Sequence, residues 1–216
     1  MKKGDILWIA ILCTFSALLA IPATHRAFIE ATDAFPYLMG FIKFAVLASM
    51  GELLAARLVS GKWNKLPGMF FKAVIWGIVG MMIVFMFTFY SSGIAGTAAK
   101  NLLFVGNGFY TPFLKAFFTS AIMNLTFAPA FMAAHRMTDT WIEMRVAGLK
   151  PKWSMVVDNI DWKGFYKFVV GKTIPFFWIP AHTVTFLLPP EYRVLASAYL
   201  SIALGVILAY AKRRKA

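Results

Sequence analysis

The chain has 216 residues, is 60% hydrophobic and only 14% charged, and combines a net charge of +13 with a mean hydropathy of +0.70. A soluble domain is nearer half apolar and a quarter charged, so the shortage of polar surface excludes a water-facing globule. The positive charge is no nucleic-acid footprint either, because the basic residues stand at the ends of apolar runs and form no stripe.

A helix crosses a hydrocarbon core about 30 Å thick with about 20 mostly apolar residues. Six windows meet that need, at 5–22, 36–60, 68–92, 113–134, 165–188 and 192–210. The runs are continuous where a barrel would show short alternating strands. The pattern predicts an all-α polytopic bundle of six transmembrane helices, one integral membrane domain over 1–216.

The first window follows Met1-Lys2-Lys3 and lacks a small-x-small cleavage site at Ile21-Pro22-Ala23, which reads as an uncleaved signal anchor. It holds the single cysteine, Cys13, expected as a small packing residue. The second contains Glu52, eight residues before its inner end and so roughly 12 Å deep at about 1.5 Å per residue. Gly51 there, with Gly77 and Gly80 in the third window, permits close helix approach.

The fourth window carries Asn124 and is disturbed by Pro129. Residues 135–164 read as the one sizeable loop. Within it Thr138-Asp139 can cap a short interfacial helix bearing Trp141, Ile142, Met144 and Val146. In the fifth window Pro175 and Pro180 remove two backbone donors, freeing the carbonyls of Gly171 and Phe176 and bending or interrupting the helix. Lys172 lies seven residues into that window, at the depth of Glu52. Charges inside a bilayer are costly and need partners, so a Glu52–Lys172 contact is expected, with Asn124 completing a polar cluster. His182, Thr183 and Thr185 follow as candidate pore-lining residues.

Lysine and arginine counts set the orientation. Lys2, Lys3, Arg57, Lys62, Lys65, Lys72, Arg136, Arg145, Lys150, Lys152, Lys163, Lys167 and the terminal Lys212, Arg213, Arg214 and Lys215 fall on one side. Arg26, Lys100, Lys115 and Arg193 fall on the other. That sixteen-to-four bias predicts both termini in the cytoplasm. The basic side is suited to anionic lipid headgroups. No nucleotide loop, zinc-protease motif or nucleophile elbow occurs, so no catalytic residues, cofactor or metal site are expected.

Several segments in order resemble the Mpv-seventeen family, which includes the twenty-two-kilodalton peroxisomal membrane protein. They are Met50-Gly51-Glu52-Leu53-Leu54, Gly77-Ile78-Val79-Gly80, Asn124-Leu125-Thr126-Phe127-Ala128-Pro129, and Trp178-Ile179-Pro180 with His182, Phe186, Pro189-Pro190 and Tyr192-Arg193. Against the family's pattern, Glu52 replaces Asp, Met81 replaces Pro, His182 replaces Gln and Thr185 replaces Asn. The resemblance implies a small membrane protein forming a weakly selective channel for small solutes. The Lys-Lys start, without an Arg- and Ser-rich presequence, favours a bacterial cytoplasmic membrane over a mitochondrial inner or peroxisomal one.

Three readings follow. One is a channel or carrier of small solutes, with Lys172 and His182 biasing it toward anions. The second is a non-transporting scaffold or partner subunit, in which the polar cluster only ties helices. The third is a membrane-embedded enzyme acting on lipid. Association with further copies of the chain is compatible with all three.

Overall fold

The computed structural model describes residues 2–64 and 66–213, with side chains as far as Tyr210, Leu208 excepted. Lys65, Arg214 and Lys215 of the charge count therefore lie outside the described residues, as do the side chains of Lys212 and Arg213.

Among those residues the chain is all-helical. The helices are α1 (Lys3–Ala20), α2 (Pro22–Ala34), α3 (Pro36–Ser60), α4 (Met69–Ala99), α5 (Thr111–Thr126), α6 (Ala128–Val146), α7 (Trp153–Asp158) and α8 (Trp162–Gly164). A wide-turned segment at Phe165–Trp178 then leads into α9 (Ile179–Leu187), and α10 (Pro190–Arg213) follows. Three helices, α1, α3 and α4, are long and apolar enough to cross a membrane. The bent pair α5–α6 makes a fourth if taken as one span.

The exterior suits lipid. Phe70, Phe85, Phe89 and Phe176 are exposed, whereas Lys43, Asn124 and His182 are buried. In water the reverse arrangement is the rule.

Local sequence explains most helix limits. Pro36 opens α3 at its first turn, where no donor is needed, and Gly61 closes it in the left-handed conformation (φ 71°). Helix α4 continues two turns past the predicted end at 92, to Ala99. Its 31 residues span about 46 Å at about 1.5 Å each, more than a hydrocarbon core needs.

Helices α3, α4 and α10 form the centre, around Phe44, Leu47, Ala48, Ile83 and Ala198. Close approach is set by glycine. A Cβ on Gly80 would run into the Gly40 carbonyl, and one on Gly51 would lie 2.8 Å from the Ser201 carbonyl oxygen. α1 rests on the outside of this centre and buries no residue. It is held by Trp8 Nε1 donating to the Met50 carbonyl at 3.0 Å and by a Ser16–Tyr199 hydroxyl pair at 2.8 Å. Cys13 on α1 is exposed.

Two expectations need correction. The fourth window does not end at 134, and no separately capped helix starts at Thr138. Instead the chain breaks between Thr126 and Ala128, where α5 and α6 meet at 48°, and α6 runs unbroken to Val146. Pro129 is the cause, because it cannot donate to the α5 ladder but fits the first turn of a new helix. Thr138 Oγ1 donates back to the His135 carbonyl, as a mid-helix threonine does.

The fifth window is likewise not a single kinked α-helix. Phe165–Trp178 winds with the wide π pitch, and the Ile179 amide donates to the Ile174 carbonyl five residues back. In such a ladder Pro175 leaves the carbonyl of Val170, rather than Gly171, without its donor. Pro180 falls in the first turn of α9, where a proline is tolerated.

Candidate functional site

Three cavities are stacked along the bundle, and every central helix reports the same order. The central one, about 230 Å³, is lined by residues 44–55 of α3, 76–83 of α4, 123–135 across the α5–α6 break, 178–182, and 197–205 of α10. Two further hollows, about 310 and 370 Å³, sit at the other end of the same helices. They involve Lys43, Ser91, Lys115 and Arg193, with Asp33 and Glu191 also at their walls. Phe87 and Phe186, both buried, lie between these hollows and the central cavity, with ring centroids 4.8 Å apart.

The walls of the central cavity are mostly apolar, with polar groups at two levels. At the level nearer the Phe87–Phe186 pair, Asn124 Nδ2 donates to the Ser120 carbonyl at 2.8 Å, which fixes which way the amide faces. The same nitrogen lies 3.1 Å from His182 Nδ1, and His182 Nε2 lies 3.3 Å from Ser197 Oγ. Because an amide nitrogen only donates, His182 Nδ1 must accept, and Nε2 carries the proton toward Ser197. His182 also stacks on Trp178 and meets Phe87 edge-on. Trp178 Nε1 is buried and has no hydrogen-bond partner.

The second level gathers charges from three helices. Glu52 Oε1 accepts from Trp76 Nε1 at 2.7 Å. Lys72 Nζ is 2.9 Å from Glu143 Oε1, 3.8 Å from Asp139 Oδ1 and 3.9 Å from Glu52 Oε2. His135 Nδ1 lies 3.5 Å from Asp139 Oδ2, and its ring packs on Trp76 at 4.2 Å. One helix turn separates His135 from Asp139, so both present to the same neighbours.

Glu52, Asn124 and His182 line one cavity, together with Trp178 and Phe127 of the quoted motifs, although residue counting puts His182 nearer the outer side than Glu52. Lys172 does not join them. It is exposed, and the cation beside Glu52 is Lys72. Matching depth had made the Glu52–Lys172 pair attractive, but Lys172 lies on the outward side of the wide segment. Thr183 and Thr185 are buried and donate to the Ile179 and Ala181 carbonyls, one turn back on their own helix. They serve the backbone and line none of the three cavities described. Of the prolines, Pro129 re-aims α6 so that His135 reaches the cavity, while Pro175 and Pro180 belong to the segment that brings in Trp178 and His182.

Sequence reasoning missed Lys72, Trp76, His135, Asp139 and Ser197. The His135/Asp139 spacing of four was a usable signal, hidden because those residues were assigned to a loop.

Protein-family models, curated proteins and solved structures compared with the chain give no match.

Proposed function

We propose that the chain is a carrier or gated channel for small solutes, built as six spans with both termini in the cytoplasm. The observation that carries this reading is that the central cavity and the two further hollows follow one another in the same order along the central helices, with Phe87 and Phe186 between them. An aromatic layer between two hollows is a barrier that side-chain rotation can open, in the manner of a hydrophobic gate.

Contacts at the two ends support the orientation. Asp5 meets Arg57 at 3.0 Å and Trp63 Nε1 at 2.7 Å, so the N-terminus shares a face with the α3–α4 connection. His25 meets the Tyr192 hydroxyl at 2.7 Å, joining the α1–α2 and α9–α10 turns at the opposite face. The basic bias assigns the first face to the cytoplasm. The motif likeness to the Mpv-seventeen family points toward the same class of function. Preference for anions would now come from Lys43, Lys115 and Arg193 and not from Lys172; Asp33 and Glu191 reduce it.

Reconstitution tests the reading. Liposomes holding the protein should release chloride, small carboxylates or polyols faster than empty ones. Phe87→Ala should raise that rate, and Ala48→Trp, which fills the central cavity, should abolish it. Vesicles as tight with the protein and with Phe87→Ala as without either would refute transport and leave the scaffold reading, which the internally bonded Asn124–His182–Ser197 chain would then support.

A further inference from the structure

We propose that Glu52, His135 and Asp139 form a binding site for a first-row divalent metal ion of the Zn²⁺ or Mn²⁺ kind. Each of the three offers one ligand atom, and those atoms lie within 4.8 Å of one another. Two come from one face of α6, one turn apart, and the third from α3 across the interface. This is enough convergence for small side-chain rotations to bring all three to the 2.0–2.2 Å that such ions require.

Two further observations point to a ligand. His135 Nε2 and Asp139 Oδ1 are both buried, and neither has a hydrogen-bond partner. Buried polar atoms are nearly always hydrogen-bonded; His135 Nε2 has no such partner and Asp139 Oδ1 has only the Lys72 ammonium at 3.8 Å, which leaves room for a third party.

Charge gives the second argument. Lys72 is committed to Glu143 at 2.9 Å and stands about a full ångström further from the other two carboxylates. With Lys72 and Glu143 offsetting each other, Glu52 and Asp139 leave two negative charges beside an imidazole. A divalent ion balances them; a monovalent one does not. Arg136, beside His135 in sequence, is exposed. One imidazole nitrogen with two carboxylate oxygens favours Zn²⁺ or Mn²⁺ over Mg²⁺ or Ca²⁺, which take oxygen alone.

The surroundings hold the ligands in place. Trp76 donates to Glu52 and packs on the His135 ring, which fixes two of the three. Glu52 and His135 also line the central cavity. Three protein ligands leave a coordination position open, and here that position faces a space able to hold a small molecule. Binding of the ion does not depend on the transport reading.

The test uses the full chain in detergent, stripped with chelator and dialysed. Zn²⁺ is titrated calorimetrically and Mn²⁺ by its paramagnetic resonance signal. One ion per chain is expected, together with a rise in melting temperature on adding the ion. Glu52→Gln, Asp139→Asn and His135→Gln should each weaken binding by about tenfold or more, while Lys172→Met leaves it unchanged. Two readouts guard against misfolding: each variant's metal-free melting profile, and the thermal shift of the unaltered protein. Absence of stoichiometric binding to the unaltered protein overturns the proposal. So does binding that survives all three substitutions, which would place the ion at other groups.

Discussion

Replacing Asn124 with leucine should cost more than one hydrogen bond is worth. Asn124, His182 and Ser197 are 1%, 6% and 3% exposed, so a lost partner is poorly replaced by bulk water. The substitution removes the donor 3.1 Å from His182 Nδ1 and strands that nitrogen as a buried acceptor. A stranded group of this kind costs about 1–3 kcal/mol, whereas an interhelical hydrogen bond within a membrane averages only about 0.6 kcal/mol. The Ser120 carbonyl loses little, because it already accepts within its own helix. Asn124→Leu should therefore destabilise by about 2 kcal/mol, mostly from the stranded nitrogen. His182→Phe should cost somewhat less, because one Asn124 N–H keeps the Ser120 carbonyl and only the other loses its partner. The double variant strands neither, so its loss should fall short of the sum by about 1–2 kcal/mol. Equilibrium unfolding in mixed micelles with increasing dodecyl sulfate measures all three. A strictly additive double variant, or an Asn124→Leu loss below about 0.5 kcal/mol, would refute the hydrogen-bond chain and with it the tautomer assigned to His182.

The partner of Glu52 can be settled by comparing two lysines. Lys72→Met leaves Glu52 and Asp139 without their ammonium and should cost about 2–4 kcal/mol, while exposed Lys172→Met should stay within about 0.5 kcal/mol; equal shifts in melting temperature would refute the placement. Topology is tested with cysteines in a Cys13→Ser background: Lys100→Cys should react with an impermeant maleimide from outside intact cells and Lys152→Cys should not, and the reverse would overturn the orientation.

Sequence alone marked several of the long helices and where some of them stop. Proline at 36 and glycine at 61 bracket α3 because one residue fixes a first-turn φ and the other takes a left-handed one, and both effects are local. Continuous apolar runs likewise marked α1 and α4 as candidate spans, since length and composition are read along a single helix. It also identified Glu52, Asn124 and His182 as polar groups needing partners.

Which partners they have was decided only by the tertiary structure. Counting residues along a helix gives depth, but contact also requires that two side chains face each other around their axes. Glu52 and Lys172 satisfied the first condition and not the second, and Lys72 satisfied both. His135 and Asp139 were hidden for a related reason. Their stretch is too polar to register as a span, yet α6 persists through it because its acidic face is matched by Lys72 on α4. That compensation belongs to the packed bundle and has no trace in the hydropathy of the segment itself.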